Sequence, residues 1–280
     1  MKIVITGAAG MLGQDVVRAA HAANHEVVEL AREELDIRRG RSVRQLLAKE
    51  LPHAVINCAA WTDVDGAESD EAAATELNGA AAGTLAAAAA EVGAAIVHPS
   101  TDYVFDGSGS RPYVESDPTS PVNAYGRSKL AGEHAVAAAN PRHFVVRTSW
   151  LFGAGGRNFV DTMLGLASDR GHVLVVRDQV GCPTYTGHLA EALVRLVDGE
   201  SYGLHHIAGG GECSWYEFAG EIFEQAGVDC RALSCTSDEY PRPAPRPAYS
   251  VLRTERDYGL ELPPWQEGLA GYLSERAVAR

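Results

Sequence analysis

The first half of the chain alternates short, almost wholly apolar runs with longer alanine-rich segments of helical period. Residues 2–6, 26–30, 54–58, 95–99 and 144–148 read as strands, and 11–23, 42–49, 71–92 and 124–139 as helices. Strands that are apolar on both faces belong in a parallel sheet covered by helices on either side, so the pattern predicts an α/β, doubly wound parallel sheet. Beyond residue 150 the rhythm loosens. Residues 158–166, 188–197 and 214–226 keep a helical period, and 173–176 and 204–207 look like strands. Residues 240–249 hold Pro241, Pro243, Pro245 and Pro247, which rule out regular helix and central strand. The expected organisation is a nucleotide-binding domain over 1–150, with a stretch near 175–200 returning to it. A smaller C-terminal substrate-binding domain, mainly 151–280, would close over the sheet's carboxyl edge, where open α/β sheets bind ligands.

Composition narrows the partners. The 280 residues are 46% hydrophobic and 22% charged, ordinary for a globular chain, and no apolar run reaches the ~20 residues that cross a bilayer. Met1-Lys2-Ile3 runs into the first strand without the apolar core of a secretory leader, so no signal peptide is expected, and the cysteine usage points to the reducing cytoplasm. A net charge of −13 disfavours nucleic acid and anionic membranes as partners. Five cysteines without a C-x-x-C pair fit neither a disulfide scaffold nor a zinc site. The ten histidines include no H-E-x-x-H pairing, so no metal is expected.

Candidate chemistry begins at Gly7-Ala8-Ala9-Gly10-Met11-Leu12-Gly13, which leaves a strand and opens a helix. Glycines there permit a tight turn and let a pyrophosphate approach backbone amides at a helix N-terminus, as in a Rossmann-type dinucleotide site. The second strand ends in Ala31-Arg32, where NAD enzymes usually place a carboxylate for the ribose 2′-hydroxyl. Arginine instead suits a 2′-phosphate, so NADPH is the expected cofactor and NADH the alternative; a solvated surface arginine is an equal reading. Asp36 and Ile37 would neighbour the adenine, and Cys58, Ala59 and Ala60 give the cofactor a small-residue strand end to lie against. Thr101, after the fourth strand, carries a hydroxyl that either polarises a substrate carbonyl or caps backbone.

Tyr125 and Lys129 stand four apart in a predicted helix and so share a face. A buried ammonium there would lower the phenol's pKa toward working pH. With the glycine loop upstream, the pair points to carbonyl–alcohol redox chemistry, hydride from a nicotinamide and proton through the phenol. Asp63, Asp65 and Glu68 lack regular ligand spacing with histidine and read as a solvated loop or sugar-hydroxyl contacts. Arg246, between two prolines, is a preorganised anion contact. Arg147, Asn158, Trp150, Trp215 and Trp265 complete the candidates.

Several segments together resemble the dTDP-4-dehydrorhamnose reductases, extended short-chain dehydrogenases/reductases that act on nucleotide-activated sugars. They are the glycine loop, Asn57-Cys-Ala-Ala-Trp-Thr-Asp-Val-Asp65, Ser100-Thr-Asp-Tyr-Val-Phe-Asp-Gly107 and Tyr125-Gly-Arg-Ser-Lys129, with Arg147-Thr-Ser-Trp150 and Arg246-Pro-Ala-Tyr-Ser250. The resemblance spans nearly the whole chain. It implies Thr101, Tyr125 and Lys129 as catalytic residues, Lys129 also holding the nicotinamide ribose. It further implies Val64, Asp65, Tyr103 and Trp150 at the sugar, Arg246 near the nucleotide, and a dTDP-activated 4-keto-6-deoxysugar as substrate. The reaction it implies is NADPH-dependent reduction of dTDP-4-dehydro-β-L-rhamnose at C4. A related 4-ketoreductase of other deoxysugars, or a non-catalytic NADP-binding regulatory subunit, stays open. Some members dimerise through magnesium held by acids, one of them after the Pro183-Thr184 segment; Tyr185-Thr186-Gly187 has none, which argues against a metal-bridged dimer, and monomer or homodimer is the expected state.

Overall fold

The computed structural model describes residues 1–256 and 260–278. β1 (Lys2–Thr6) leads through the glycine loop into α1 (Met11–Ala22), followed by β2 (Glu26–Leu30), α2 (Gly40–Glu50) and β3 (Ala54–Asn57). Next come α3 (Val64–Ser69), α4 (Glu71–Thr75), a wide-turned segment Glu76–Ala81 and α5 (Ala82–Glu91). β4 (Ala95–Pro99), α6 (Ala124–Ala139) and β5 (His143–Arg147) complete the first half. The second half runs β6 (Leu151–Phe152), α7 (Phe159–Ala167), β7 (His172–Val176), β8 (Val180–Gly181), β9 (Thr184–Tyr185) and α8 (Thr186–Leu196). β10 (Gly203–His206), β11 (Cys213–Ser214), α9 (Trp215–Gln225), β12 (Arg231–Cys235) and α10 (Trp265–Val278) follow.

Six strands form one wholly parallel sheet in the order β10-β5-β4-β3-β1-β2, a Rossmann-type arrangement. Its two faces explain the doubly apolar strands. Ile3, Ile5, Ile56, Val97 and Phe144 pack with α1 and α8 on one side, while Val4, Val55, Ile96 and Val145 pack with α2 and α5 on the other. The strand between them therefore has no polar face to show. α8 and β10 join this body from beyond residue 180. A third core, rich in aromatic residues, gathers Phe152, Phe218, Ile222, Trp265, Leu269 and Tyr272 from α9, α10 and short strands.

Three elements depart from the sequence pattern. The helix expected over 71–92 is interrupted at Glu76–Ala81, where the turn widens to a π geometry. The buried Asn78 explains the bulge: its amide donates to Ser128 Oγ at 2.9 Å and to the Trp61 carbonyl at 3.1 Å, and its carbonyl accepts from the Trp61 amide at 2.8 Å. Such bulges recur where a helix must aim one side chain inward. The acidic segment expected as a solvated loop is instead α3, capped by Asp63, whose Oδ1 accepts from the Gly66 amide at 3.0 Å. The short strands of the second half and α10 have too little period to be seen in the sequence.

Candidate active site

The carboxyl ends of β1, β3, β4 and β5 open into a cleft of about 670 Å³. Its lining includes Gly10, Met11, Leu12 and Gly13 from the glycine loop, Cys58 and Ala60 after β3, and Thr101, Asp102 and Tyr103 after β4. Tyr125 and Lys129 enter from α6, Trp150 from the β5 end, and Val64 from α3. The sequence-predicted catalytic and sugar-facing groups thus converge on one cavity, with Asp65 and Arg246 the exceptions.

The glycine loop is built for close backbone approach. Gly7 sits at φ +67°, and a Cβ on Gly13 would lie 2.1 Å from the Gly7 carbonyl oxygen. The loop opens α1 with Gly10 as its N-cap, without a side-chain cap and without an acid in the first turn. Amide donors at that end therefore face the cleft with no carboxylate competing for them. Gly7 lies beneath this surface, against the backbone of Cys58 and Ala59.

α6 begins where Asn123 turns the chain; Asn123 Oδ1 accepts from the Gly126 amide at 2.7 Å. Tyr125 then falls in the first turn and Lys129 one turn on. Lys129 is buried, and its Nζ donates to the Pro99 carbonyl at 2.7 Å. Burial pulls that amine down to about 8, opposed by the charges of Glu133 and Cys58. The Tyr125 phenol differs from the sequence expectation. Burial pushes it up, the Asp102 charge adds to the rise, and a hydrogen bond with Thr101 opposes it. Desolvation outweighs any help from Lys129, whose hydrogen bond goes to Pro99. Thr101 Oγ1 donates to Asp102 Oδ1 at 3.1 Å, and Ser250 Oγ donates to Oδ2 at 2.6 Å. Burial nonetheless raises the Asp102 carboxyl to about 7.

Behind these groups lies a buried ion pair. Arg147 donates from Nε and Nη2 to Glu133 at 2.9 and 2.8 Å, and Ser100 Oγ donates to the same carboxylate at 2.5 Å. Arg147 therefore braces α6 against β4 and β5 and does not reach the cleft. Asn158 is likewise structural, capping α7 and donating to the Gly153 carbonyl at 2.9 Å.

Trp150 closes the far side. It adopts φ +48°, a costly backbone for a bulky residue, and its ring stacks on Trp215 with centroids 3.5 Å apart and planes 4° apart. Gly181 allows this, since a Cβ there would come within 2.5 Å of the Trp150 ring. Trp215 and Arg157 also line the cleft. Arg157 carried no motif signal; its place above the glycine loop comes from the Gly153–Gly156 turn, which packs on Met11 and Gln14.

The remaining candidates sit elsewhere. Arg32 and Asp36 line a separate hollow of about 420 Å³ beyond β2, together with Arg38 and Arg39. Asp36 is clamped by Arg38 at 2.7–3.2 Å, which lowers its carboxyl to about 2, and Ile37 is buried in the core below. Asp65 and Arg246 face each other and lie outside the cleft lining. Arg246 Nη1 donates to Asp65 Oδ1 at 2.6 Å and Arg242 Nη2 to Oδ2 at 2.6 Å. Burial raises the Asp65 carboxyl, but hydrogen bonds from Arg246, Ala244 and Arg242 outweigh it and bring the group to about 2.

With that geometry fixed, comparison with known proteins is decisive. The RmlD substrate binding domain family matches residues 1–278. The chain belongs to that family. It is 47% identical to a dTDP-4-dehydrorhamnose reductase of Mycolicibacterium smegmatis over 276 residues, 96% of this chain and 84% of that protein. Among solved structures, a dTDP-4-dehydrorhamnose reductase of Clostridium acetobutylicum superposes with a TM-score of 0.96 at 44% identity, covering 99% of this chain and 100% of that one. The Bacillus anthracis dTDP-4-dehydrorhamnose reductase, solved in complex with NADP, gives 0.95 at 38% identity, covering 98% and 99%.

Proposed function

We propose that this chain is an NADPH-dependent reductase that converts the C4 ketone of dTDP-4-dehydro-β-L-rhamnose to the alcohol of dTDP-L-rhamnose. The observation that carries the reading is the convergence of Thr101, Tyr125 and Lys129 in one cleft beside the glycine loop, in a chain of this family. The residues present fit a dinucleotide. Gly7 and Gly13 let the loop's own backbone pack closely where any Cβ would clash, and the amides opening α1 are left for an anion.

Reduction adds hydride to the carbonyl carbon and a proton to its oxygen, and the cofactor supplies the hydride when bound. Tyr125 supplies the proton. Its upward-shifted phenol is fully protonated at neutral pH, as an acid must be before it donates. Lys129, close on the same helix face, stabilises the tyrosinate left behind, and with its amine near 8 it is mainly charged at neutral pH. Thr101 places a second hydroxyl at the carbonyl oxygen. The Trp150–Trp215 stack offers a flat apolar wall to the deoxysugar. Among the described residues Arg157 and Lys129 are the two cations lining the cleft, and Arg157 is placed to meet a diphosphate. Arg32 and Arg39 beyond β2 suit the 2′-phosphate of NADPH.

The test is loss of nicotinamide absorbance with dTDP-4-dehydrorhamnose generated in situ by its epimerase, first with NADPH and then with NADH. Rapid oxidation yielding dTDP-L-rhamnose is expected, faster with NADPH. Tight NADPH binding with no oxidation would overturn the substrate assignment and send the search to other 4-keto sugars.

A further inference from the structure

The proline-rich segment 240–250 is a strap whose far end is held by backbone bonds of Ala248, Tyr249 and Ser250 to Gly107 and Val180 and by Tyr249 on Glu212, while three side-chain ties join it to elements that line the cleft. Asp65, next to Val64, holds Arg242 and Arg246. Asp102, next to Thr101, accepts from Ser250 Oγ at 2.6 Å. The third tie is Asn123, whose residue surface is 0% exposed. Its Oδ1 caps α6 through the Gly126 amide at 2.7 Å, and its Nδ2 donates to the Pro245 carbonyl at 2.9 Å. One amide therefore spends its acceptor on the helix carrying Tyr125 and Lys129 and its donor on a strap 122 residues away.

Capping alone does not require asparagine, because Asp and Ser cap helices as well. This chain uses Asp63, Asp70 and Ser214 to cap α3, α4 and α9. Asparagine stands where the cap also ties down a loop: Asn158 caps α7 while donating to the Gly153 carbonyl at 2.9 Å, and Asn123 does the same for Pro245. The donor is the part of Asn123 that a mere cap would not need.

We propose that Asn123 is a positioning residue that sets the strap's distance from the catalytic helix and thereby the fit of the nucleotide sugar. This inference rests on the nucleotide-sugar reading above. Asn123→Asp keeps an acceptor for the Gly126 amide but turns the donor into a carboxylate oxygen facing a carbonyl; Asn123→Ser keeps the cap and loses the reach. In both, KM for the nucleotide sugar should rise about tenfold, the scale of one buried hydrogen bond, while kcat and the NADPH dissociation constant stay within about twofold. Amide hydrogen exchange of residues 244–250 should quicken in the same variants. Combined with Asp65→Asn, which loosens the same strap from α3, the KM effects should be less than multiplicative.

Unchanged KM and unchanged exchange in both variants would overturn the proposal. So would a joint fall in kcat and NADPH affinity with exchange in 244–250 unaltered, which would reduce Asn123 to a cap. Should the parent protein turn over no nucleotide sugar, the functional reading fails, and exchange in 244–250 still decides whether Asn123 holds the strap.

Discussion

On the wall of the cleft formed by the strand ends and α6, several polar groups are held by partners within the first half of the chain. Thr101 bonds Asp102, Ser128 Oγ bonds the Tyr125 carbonyl at 2.7 Å, and Lys129 bonds Pro99. Opposite it, where the Trp150–Trp215 wall and the strap outside the cleft lining lie, the main fixing contacts are long-range. Arg242 and Arg246 reach Asp65 across 177 and 181 residues, Ser250 reaches Asp102 across 148, and Trp150 lies on Trp215. The first wall is buried and holds the proposed proton donor; the second is partly exposed, with Arg242 half open to solvent. On the proposed reading, the buried wall holds the proton donor and the partly exposed side receives the sugar.

If that contrast is right, breaking each wall should cost different quantities. The largest stability loss is expected from Glu133→Ala, which leaves Arg147 unpaired where both side chains are about 5–6% exposed. Removing one partner of a buried ion pair costs about 3–5 kcal/mol, read as a lowered urea midpoint with unchanged slope. On the same wall, Asp102→Asn should remove a pH dependence. The buried carboxyl titrates near 7 when folded and near 3.8, the ordinary aspartate value, once the chain unfolds, so the folded state binds the extra proton between those values. Its contribution is fully present below the lower value and is lost as pH rises through about 7. Stability of the parent should therefore fall more steeply than that of the variant between about pH 5 and pH 8, checked by urea unfolding across that range. The smallest stability effect is expected on the opposite wall. Asp65→Asn loosens two partly exposed ion pairs and should cost about 0.5–1 kcal/mol at most, while raising KM for the nucleotide sugar more than it lowers kcat. A large stability loss from that change would erase the distinction between the walls.

The same division decides what could be read from the sequence. The glycine loop and the Tyr125–Lys129 turn are local motifs that spacing reveals, whereas Thr101 kept two readings on pattern and joined them through the resemblance. The doubly apolar strands also announced the parallel sheet. Asp65 and Arg246 were assigned to ligand because their partnership joins segments far apart in the chain, which no spacing reveals. Arg157 was missed because three glycines around it carry no helical or strand period, and its position depends on packing against Met11. The phenol's shift was misjudged in direction because the number of buried neighbours, and not the lysine spacing, sets the larger cost of ionising it.

The central claim is that Tyr125 gives the proton to the reduced carbonyl. Single-turnover oxidation of bound NADPH by dTDP-4-dehydrorhamnose, in the parent and in Tyr125→Phe, tests it most directly, with NADPH affinity measured alongside. The account predicts a rate lower by ~10²-fold or more at nearly unchanged NADPH affinity. A Phe variant that turns over within about twofold of the parent would contradict it and place the proton donor elsewhere in the cleft.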